Sequence, residues 1–224
     1  MFIDKVIIST HVLVQMKSFY TDVLQFPSRS VDQGFAVVIG ESILECHEVS
    51  DTSEPFYHFA FNIPSNQFEA AKVWASERVQ LAEEDGQTEV YFNRFHSYSF
   101  YIVDPAGNIV EFISRQLDAP AREGNFSSKM VLSIGEINVT TPDLFATGQQ
   151  LIDWGIPAYQ QAAIEEGLNF LGAGSSFLLL GKPDRQWLFS HRKATMYPLT
   201  IVIDHHKQIK VSVTGQVQLS MLAT

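Results

Sequence analysis

Two residues of this chain stand where ordinary roles fit poorly. Glu111 lies between Val110 and Phe112, in the apolar run 109–113 that follows the turn Asp104-Pro105-Ala106-Gly107-Asn108. Asp opens such a turn, Pro105 presets φ and Gly107 admits a positive φ. With the apolar run 100–103 before it, the stretch reads as strand, tight turn, strand. A carboxylate inside an apolar strand is costly unless something positive compensates it. Glu111 therefore faces solvent, or holds a metal, or holds a cationic side chain. His58 sits in a second β-rich run, 57–63. Alternation puts His58, Ala60 and Asn62 on one face, and Phe59, Phe61 and Ile63 on the other, under a helix. A lone histidine there is more often a hydrogen-bonded core residue. Imidazole beside carboxylate is nonetheless a donor set for divalent ions.

The elements that must position these residues recur along the chain. Residues 5–9 read as a strand. Residues 12–24 read as a helix, with Val12, Met16, Phe19, Tyr20 and Val23 at helical spacing and Pro27 ending it. Residues 28–32, 35–39 and 42–48 read as three strands. After a polar linker at 51–55 the order repeats: strand 57–63, helix 67–77 with Ser65 as a candidate cap, then strands 79–82 and 89–93 and the hairpin. A third round starts at 133–140, with a helix over 142–154 and strands at 158–161, 168–172 and 176–181. A fourth, at 199–203, 209–214 and 217–222, has no helix. The polar run 116–128 is the expected boundary, leaving 1–116 and 129–224 on either side of a 117–128 linker. Lys5, His58 and Glu136 each precede a strand-to-helix corner (His11, Pro64, Pro142) by the same spacing and take equivalent positions. Glu45 is the first-unit counterpart of Glu111.

The bulk properties narrow the function classes. The chain has 224 residues, 46% of them hydrophobic, and a formal charge of −10. That balance argues against a nucleic-acid partner, whose phosphates need Lys and Arg. No apolar run reaches the roughly 18 residues of a membrane helix, so no membrane partner is expected. The N-terminus lacks the basic head and apolar block of a signal peptide. The single Cys46 rules out an internal disulfide and fits a reducing, cytoplasmic setting. It reads as a small buried apolar residue.

A repeated βαβββ unit, with His58 opening one unit and Asp104-Pro-Ala-Gly-Asn-Ile-Val-Glu111 closing it, resembles the vicinal-oxygen-chelate superfamily. That group includes glyoxalase I, bleomycin- and fosfomycin-resistance proteins and extradiol dioxygenases. The likeness is good over 1–116, where 19–24 (Phe-Tyr-Thr-Asp-Val-Leu) matches the family helix, and weaker over 129–224. It implies an α+β fold of βαβββ units pairing into cupped mixed sheets, with a complete N-terminal cup over 1–116 and a degenerate C-terminal half. It also implies that His58 and Glu111 face into the cup and bind a divalent ion (Fe, Mn, Zn, Ni or Mg) that chelates neighbouring oxygens of a small organic substrate. Where relatives carry His or Gln, this chain has Lys5, whose ammonium cannot be a ligand.

Two readings follow. In one, the third ligand comes from Glu45, or from His11, His47 or His96, and the protein is a metal-dependent enzyme. In the other, Lys5 pairs with Glu111 or Glu45, no metal is needed, and the cup binds a small molecule as bleomycin-resistance proteins do. A structural or partner-binding protein is the third class. Glu111, His96 and Tyr101 are the candidates for proton handling or ligand contact. A homodimer is compatible with the family, whose members often pair units between chains. The third unit carries Glu136 but no carboxylate in its last strand, so the back half reads as structural.

Overall fold

The computed structural model describes residues 1–49 and 51–222. The first unit is β1 (Ile3–Thr10), α1 (Leu13–Ser18) running into a π-helical turn (Phe19–Val23), β2 (Ser28–Val31), β3 (Gly34–Ile39) and β4 (Ser42–Glu48). The second is β5 (His58–Ile63), α2 (Phe68–Ser76), β6 (Val90–Phe92), β7 (Ser97–Val103) and β8 (Ile109–Arg115). The third is β9 (Ser133–Thr140), α3 (Leu144–Asp153), β10 (Asn169–Ala173) and β11 (Ser176–Gly181). The last is β12 (Leu199–Ile203), β13 (Lys207–Val211) and β14 (Val217–Met221), with no helix among them. The expected α+β class and the order of elements are therefore present.

Two expected strands are not. Residues 158–161 form a short turn with positive φ at Gln160 and Gln161, which a continuous strand cannot accommodate. Residues 79–82 contribute one isolated bridge, Leu81 to Ile102.

One face of each first strand feeds the core. Phe59, Phe61 and Ile63 of β5 are fully buried with Phe112 of β8, beneath the face of α2 that carries Phe68, Ala71, Trp74 and Ala75. Those helix positions fall on one side of a 3.6-residue period, so burying them holds the helix to the sheet. Phe100 and Phe112 stack face to face with centroids 4.9 Å apart. The opposite face of β5 is also buried, and that face carries the chemistry.

Fourteen strands join in one open sheet. Within units the first strand runs parallel to the last: β1 with β4, β5 with β8 and β9 with β11. Between units the first strands meet antiparallel, and here the sheet departs from expectation. β5 pairs with β9, across the 117–128 linker, and β1 pairs with β12. The cup expected within 1–116 is replaced by two cups, an inner one from the second and third units and an outer one from the first and last. Alternation records which face of a strand is buried and not which edge meets which, so it cannot choose between these pairings. Both cups are completed within one chain. Between Ala60 and Phe61 the β5–β9 register slips by one. Gly135 lies at that slip, where a Cβ would come within 2.4 Å of the Asn62 side chain.

Candidate metal centre

Register places the centre. Across the neighbouring strands β9, β5, β8 and β7, Glu136 lies opposite Ala60, Ala60 opposite Glu111, and Glu111 opposite Tyr101. Paired residues share a face of the sheet. Two carboxylates therefore flank the small side chain of Ala60, and His58 rises beside them, two residues back along β5. Ligand atoms of His58, Glu111 and Glu136 all lie within 4.8 Å of one another, and all three residues are buried.

The hairpin turn fixes the height of Glu111. The buried Asp104 accepts hydrogen bonds from the amides of Ala106 and Asn108, from Asn108 Nδ2 and from the Tyr20 hydroxyl at 2.9 Å. Asn108 Oδ1 in turn accepts the amide of Tyr57 at 2.7 Å, tying the turn to the start of β5. Burial raises the Asp104 carboxyl to about 6 against the pull of these hydrogen bonds. Gly107, at φ +81°, supplies the left-handed position.

His58 is held in one orientation. Its amide donates to Asn138 Oδ1 at 2.9 Å, and its Nδ1 lies 3.1 Å from the carbonyl of Ile109. A carbonyl only accepts, so Nδ1 carries the proton and Nε2 is presented to the carboxylates, 3.4 Å from Glu111 Oε2. A histidine oriented this way by a backbone carbonyl is arranged as metal-ligating histidines are. Glu111 Oε1 is buried with no hydrogen-bond partner among the described residues. Such an atom is costly unless a cation or proton meets it. One imidazole, two carboxylates and an orphaned carboxylate oxygen suit a divalent ion with positions open to other oxygens.

A guanidinium already stands in the centre. Arg115, at the end of β8, is 1% exposed and ion-paired to Glu136. Burial and the nearby Glu111 raise the Glu136 carboxyl to about 7, while Arg115 and His58 pull it down. Burial first, then Glu111 and Glu136, push the Tyr101 hydroxyl well above its ordinary range, so it stays protonated beside Glu111.

The segment between β11 and β12 roofs the centre. The Trp187 ring lies 4.6 Å from His58, and Phe189 stacks on Tyr101 at 4.6 Å. A cross-bridge between Gln186 and Lys193, with the Ala194 amide donating to the Arg185 carbonyl, braces this segment. Beneath it, His58, Glu111 and Glu136 open onto a narrow cavity of about 80 Å³, walled by Phe95, Tyr101, Phe170 and Trp187. A mostly aromatic lining with a few convergent polar groups is the kind that holds a small organic ligand.

Of the residues expected from sequence, the structure brings together His58, Glu111 and Tyr101. It separates the others. Glu45 lies on β4 in the outer cup, 3.4 Å from Lys5 and 2.6 Å from His47, so it does not complete the ligand set. Lys5 does form the expected pair with Glu45, but away from Glu111. His11 sits at the bend after β1. His96 is exposed in a left-handed turn before β7, held outside the cavity. Glu136, Arg115, Arg185 and Trp187 are additions. Glu136 carries a signal in the sequence, its equivalence to His58, which became decisive once β5 and β9 paired. Residues 182–186 read from sequence as a polar loop leading to Trp187, and nothing in that reading singles out Arg115.

A curved sheet of βαβββ units with ligand-type residues on its inner face is the vicinal-oxygen-chelate fold, and the comparisons agree. A family model described as a toxoflavin-degrading enzyme matches residues 134–185. A structure titled a putative dioxygenase, from Bacillus subtilis, superposes with a TM-score of 0.57 at 13% identity, covering 81% of this chain and 63% of its own. A lactoylglutathione lyase from Agrobacterium tumefaciens gives 0.42 at 21% identity over 51% of this chain and 94% of its own. An integron cassette protein from the Halifax Harbour sewage metagenome gives 0.43 at 20% identity over 50% of this chain and 97% of its own. No curated protein sequence matches the chain. No helix among the described residues is long and apolar enough to cross a membrane.

Proposed function

We propose that this chain is a metal-dependent enzyme acting on a small oxygenated organic molecule in the inner cup. The observation that carries this reading is the buried His58, Glu111, Glu136 set with its orphaned Glu111 oxygen. The description of the matched family as a degrading enzyme supports catalysis over simple binding. His58 Nε2 and one oxygen from each glutamate would hold the ion. Bound there, a divalent ion supplies Lewis acidity toward two neighbouring substrate oxygens.

The chain's own residues do the rest. The Ile109 carbonyl and the Trp187 ring fix His58. Ala60 leaves space above the sheet. Trp187 and Phe189 exclude water. The Tyr101 hydroxyl, kept protonated, donates to negative charge that develops on a substrate oxygen. Arg115 offsets the charge of Glu136, one of two adjacent carboxylates.

One observation favours a second reading, a metal-free binding protein. Arg115 already neutralises Glu136, the task that Lys5 would have in the sequence-based version of this reading. Metal analysis of protein purified without added metal separates the two. The enzyme reading expects about one divalent ion per chain, with His58→Ala and Glu136→Gln each weakening retention at least 100-fold. Protein that neither retains nor takes up an ion at one per chain sinks the enzyme reading.

A further inference from the structure

Among the described residues, one cation of the inner cup has no counter-charge. Arg185, on the roof segment, lines the same cavity as His58, Glu111 and Glu136. Its Nε and Nη2 are buried with no hydrogen-bond partner among the described residues. Its guanidinium carbon sits over the Trp187 ring, 4.0 Å from the centroid. Gly181 stands at its back, where a Cβ would approach Nε at 3.9 Å. Burial lowers its hold on its proton, the direction expected of a desolvated cation. The two inner-cup carboxylates do not relieve it, since Glu136 is paired with Arg115 and Glu111 belongs to the metal set. Glu84 accepts the Phe189 amide instead, and Asp184, beside Arg185 in the chain, is exposed with no ion pair to it among the described residues. A half-buried guanidinium whose inward N–H groups are idle is costly unless an anion arrives. A planar fork of two N–H donors matches a carboxylate in a bidentate geometry.

We propose that Arg185 selects the substrate class: a small flat organic acid whose carboxylate docks on Arg185 while its ring lies among Phe95, Tyr101, Phe170 and Trp187. The proposal deepens the metal-enzyme reading of the same cavity and rests on it for the role of the remaining substrate oxygens. Arg185 is a binding residue here, and the metal ligands are distinct from it.

Two probe pairs test this and keep the two readings apart. Metal-loaded protein is titrated with 3,4-dihydroxybenzoate and with 3,4-dihydroxybenzamide, following calorimetry and tryptophan fluorescence. Protein stripped of metal is titrated with benzoate and benzamide. In both arms the acid should bind at least tenfold more tightly than the amide. Arg185→Met should erase that preference while keeping metal content and thermal stability, and Arg185→Lys should retain part of it. Equal binding of acid and amide overturns the proposal, as does a preference that survives in Arg185→Met, or no binding of either benzoate or benzamide. The acid–amide comparison in the parent protein needs no variant. A preference in the metal-free arm, beside failure of metal loading, would keep Arg185 as an acid-binding residue and discard the metal reading alone.

Discussion

In the inner cup the row Glu136, Ala60, Glu111, Tyr101 crosses four strands; in the outer cup the corresponding row is Thr200, Ile7, Glu45, Ala36. His58 of the inner cup corresponds to Lys5 of the outer one. The backbone register is the same, and the side chains differ at every position but the last-strand glutamate. Where the inner cup has the small Ala60 between its two glutamates, the outer cup has the bulk of Ile7. Where the inner cup has an unpaired carboxylate oxygen, the outer one has Glu45 already held by Lys5 and His47. The inner centre is sealed by Trp187 and Phe189, whereas the Lys5 side chain is 33% exposed. One scaffold thus supports a poised, desolvated centre and a self-neutralised, wet one. The difference lies in four side chains and a roof.

Three perturbations should widen or close that gap. The largest effect is expected from Glu136→Ala, which leaves Arg115 buried and unpaired. A cost of about 3–5 kcal/mol follows for such a charge. The matching change in the outer cup, Glu45→Ala, disrupts a partly exposed pair and should cost about 0–1 kcal/mol. Urea unfolding of both variants checks this, and equal costs would erase the contrast between the cups.

Next comes the small side chain at Ala60. Ala60→Leu should crowd Glu111 and Glu136 on either side of it, cost about 1–3 kcal/mol and abolish metal uptake, read by metal content of the folded variant. Ile7→Ala, its outer-cup mate, should leave metal content unchanged. A fully loaded Ala60→Leu protein would show that the metal, where present, lies elsewhere.

The smallest effect is a pH dependence. Glu136 binds its proton more tightly in the fold, at about 7 against an ordinary 4.5. Its contribution to metal-free stability is therefore complete below about 4.5 and declines as pH rises to about 7. Metal needs the ionised form, so affinity should climb by up to about tenfold per pH unit below that point and level off above it. Chelator competition across pH 5.5 to 8 checks this. A flat profile would place Glu136 outside the ligand set. Glu45→Gln should leave the profile unchanged, because its carboxylate is not in the centre.

Most strands, and the face of β5 that carries His58, were legible because alternation records them directly. The 104–111 hairpin was legible because Asp, Pro, Gly and Asn each have a fixed job in it. What alternation does not record is which edge meets which. Glu136 was recognised as equivalent to His58, yet it looked idle because its own unit offers no carboxylate on β11; Leu179 stands where a second one would be. The antiparallel meeting of β5 and β9 supplies the missing partner from another unit. His96 misled for a local reason: Asn93–Phe95 form a short helical turn that leaves it exposed before β7 begins. Arg185 and Trp187 act through a non-repeating segment, to which a repeat-based reading is blind.

The nested pairing has a consequence for how the chain reaches this shape. β5 and β9 meet by closing a loop of about 78 residues, from Phe59 to Ile137, while β1 and β12 close about 195, from Val6 to Ile201. Loop-closure entropy grows only as the logarithm of length, so the longer closure costs merely about 0.8 kcal/mol more. The kinetic asymmetry is larger. Every strand of the inner cup is available once residue 181 has been made, but β1 must wait for β12 with one edge largely unmatched. During synthesis the poised centre can therefore assemble first, and the self-neutralised cup closes around it afterwards.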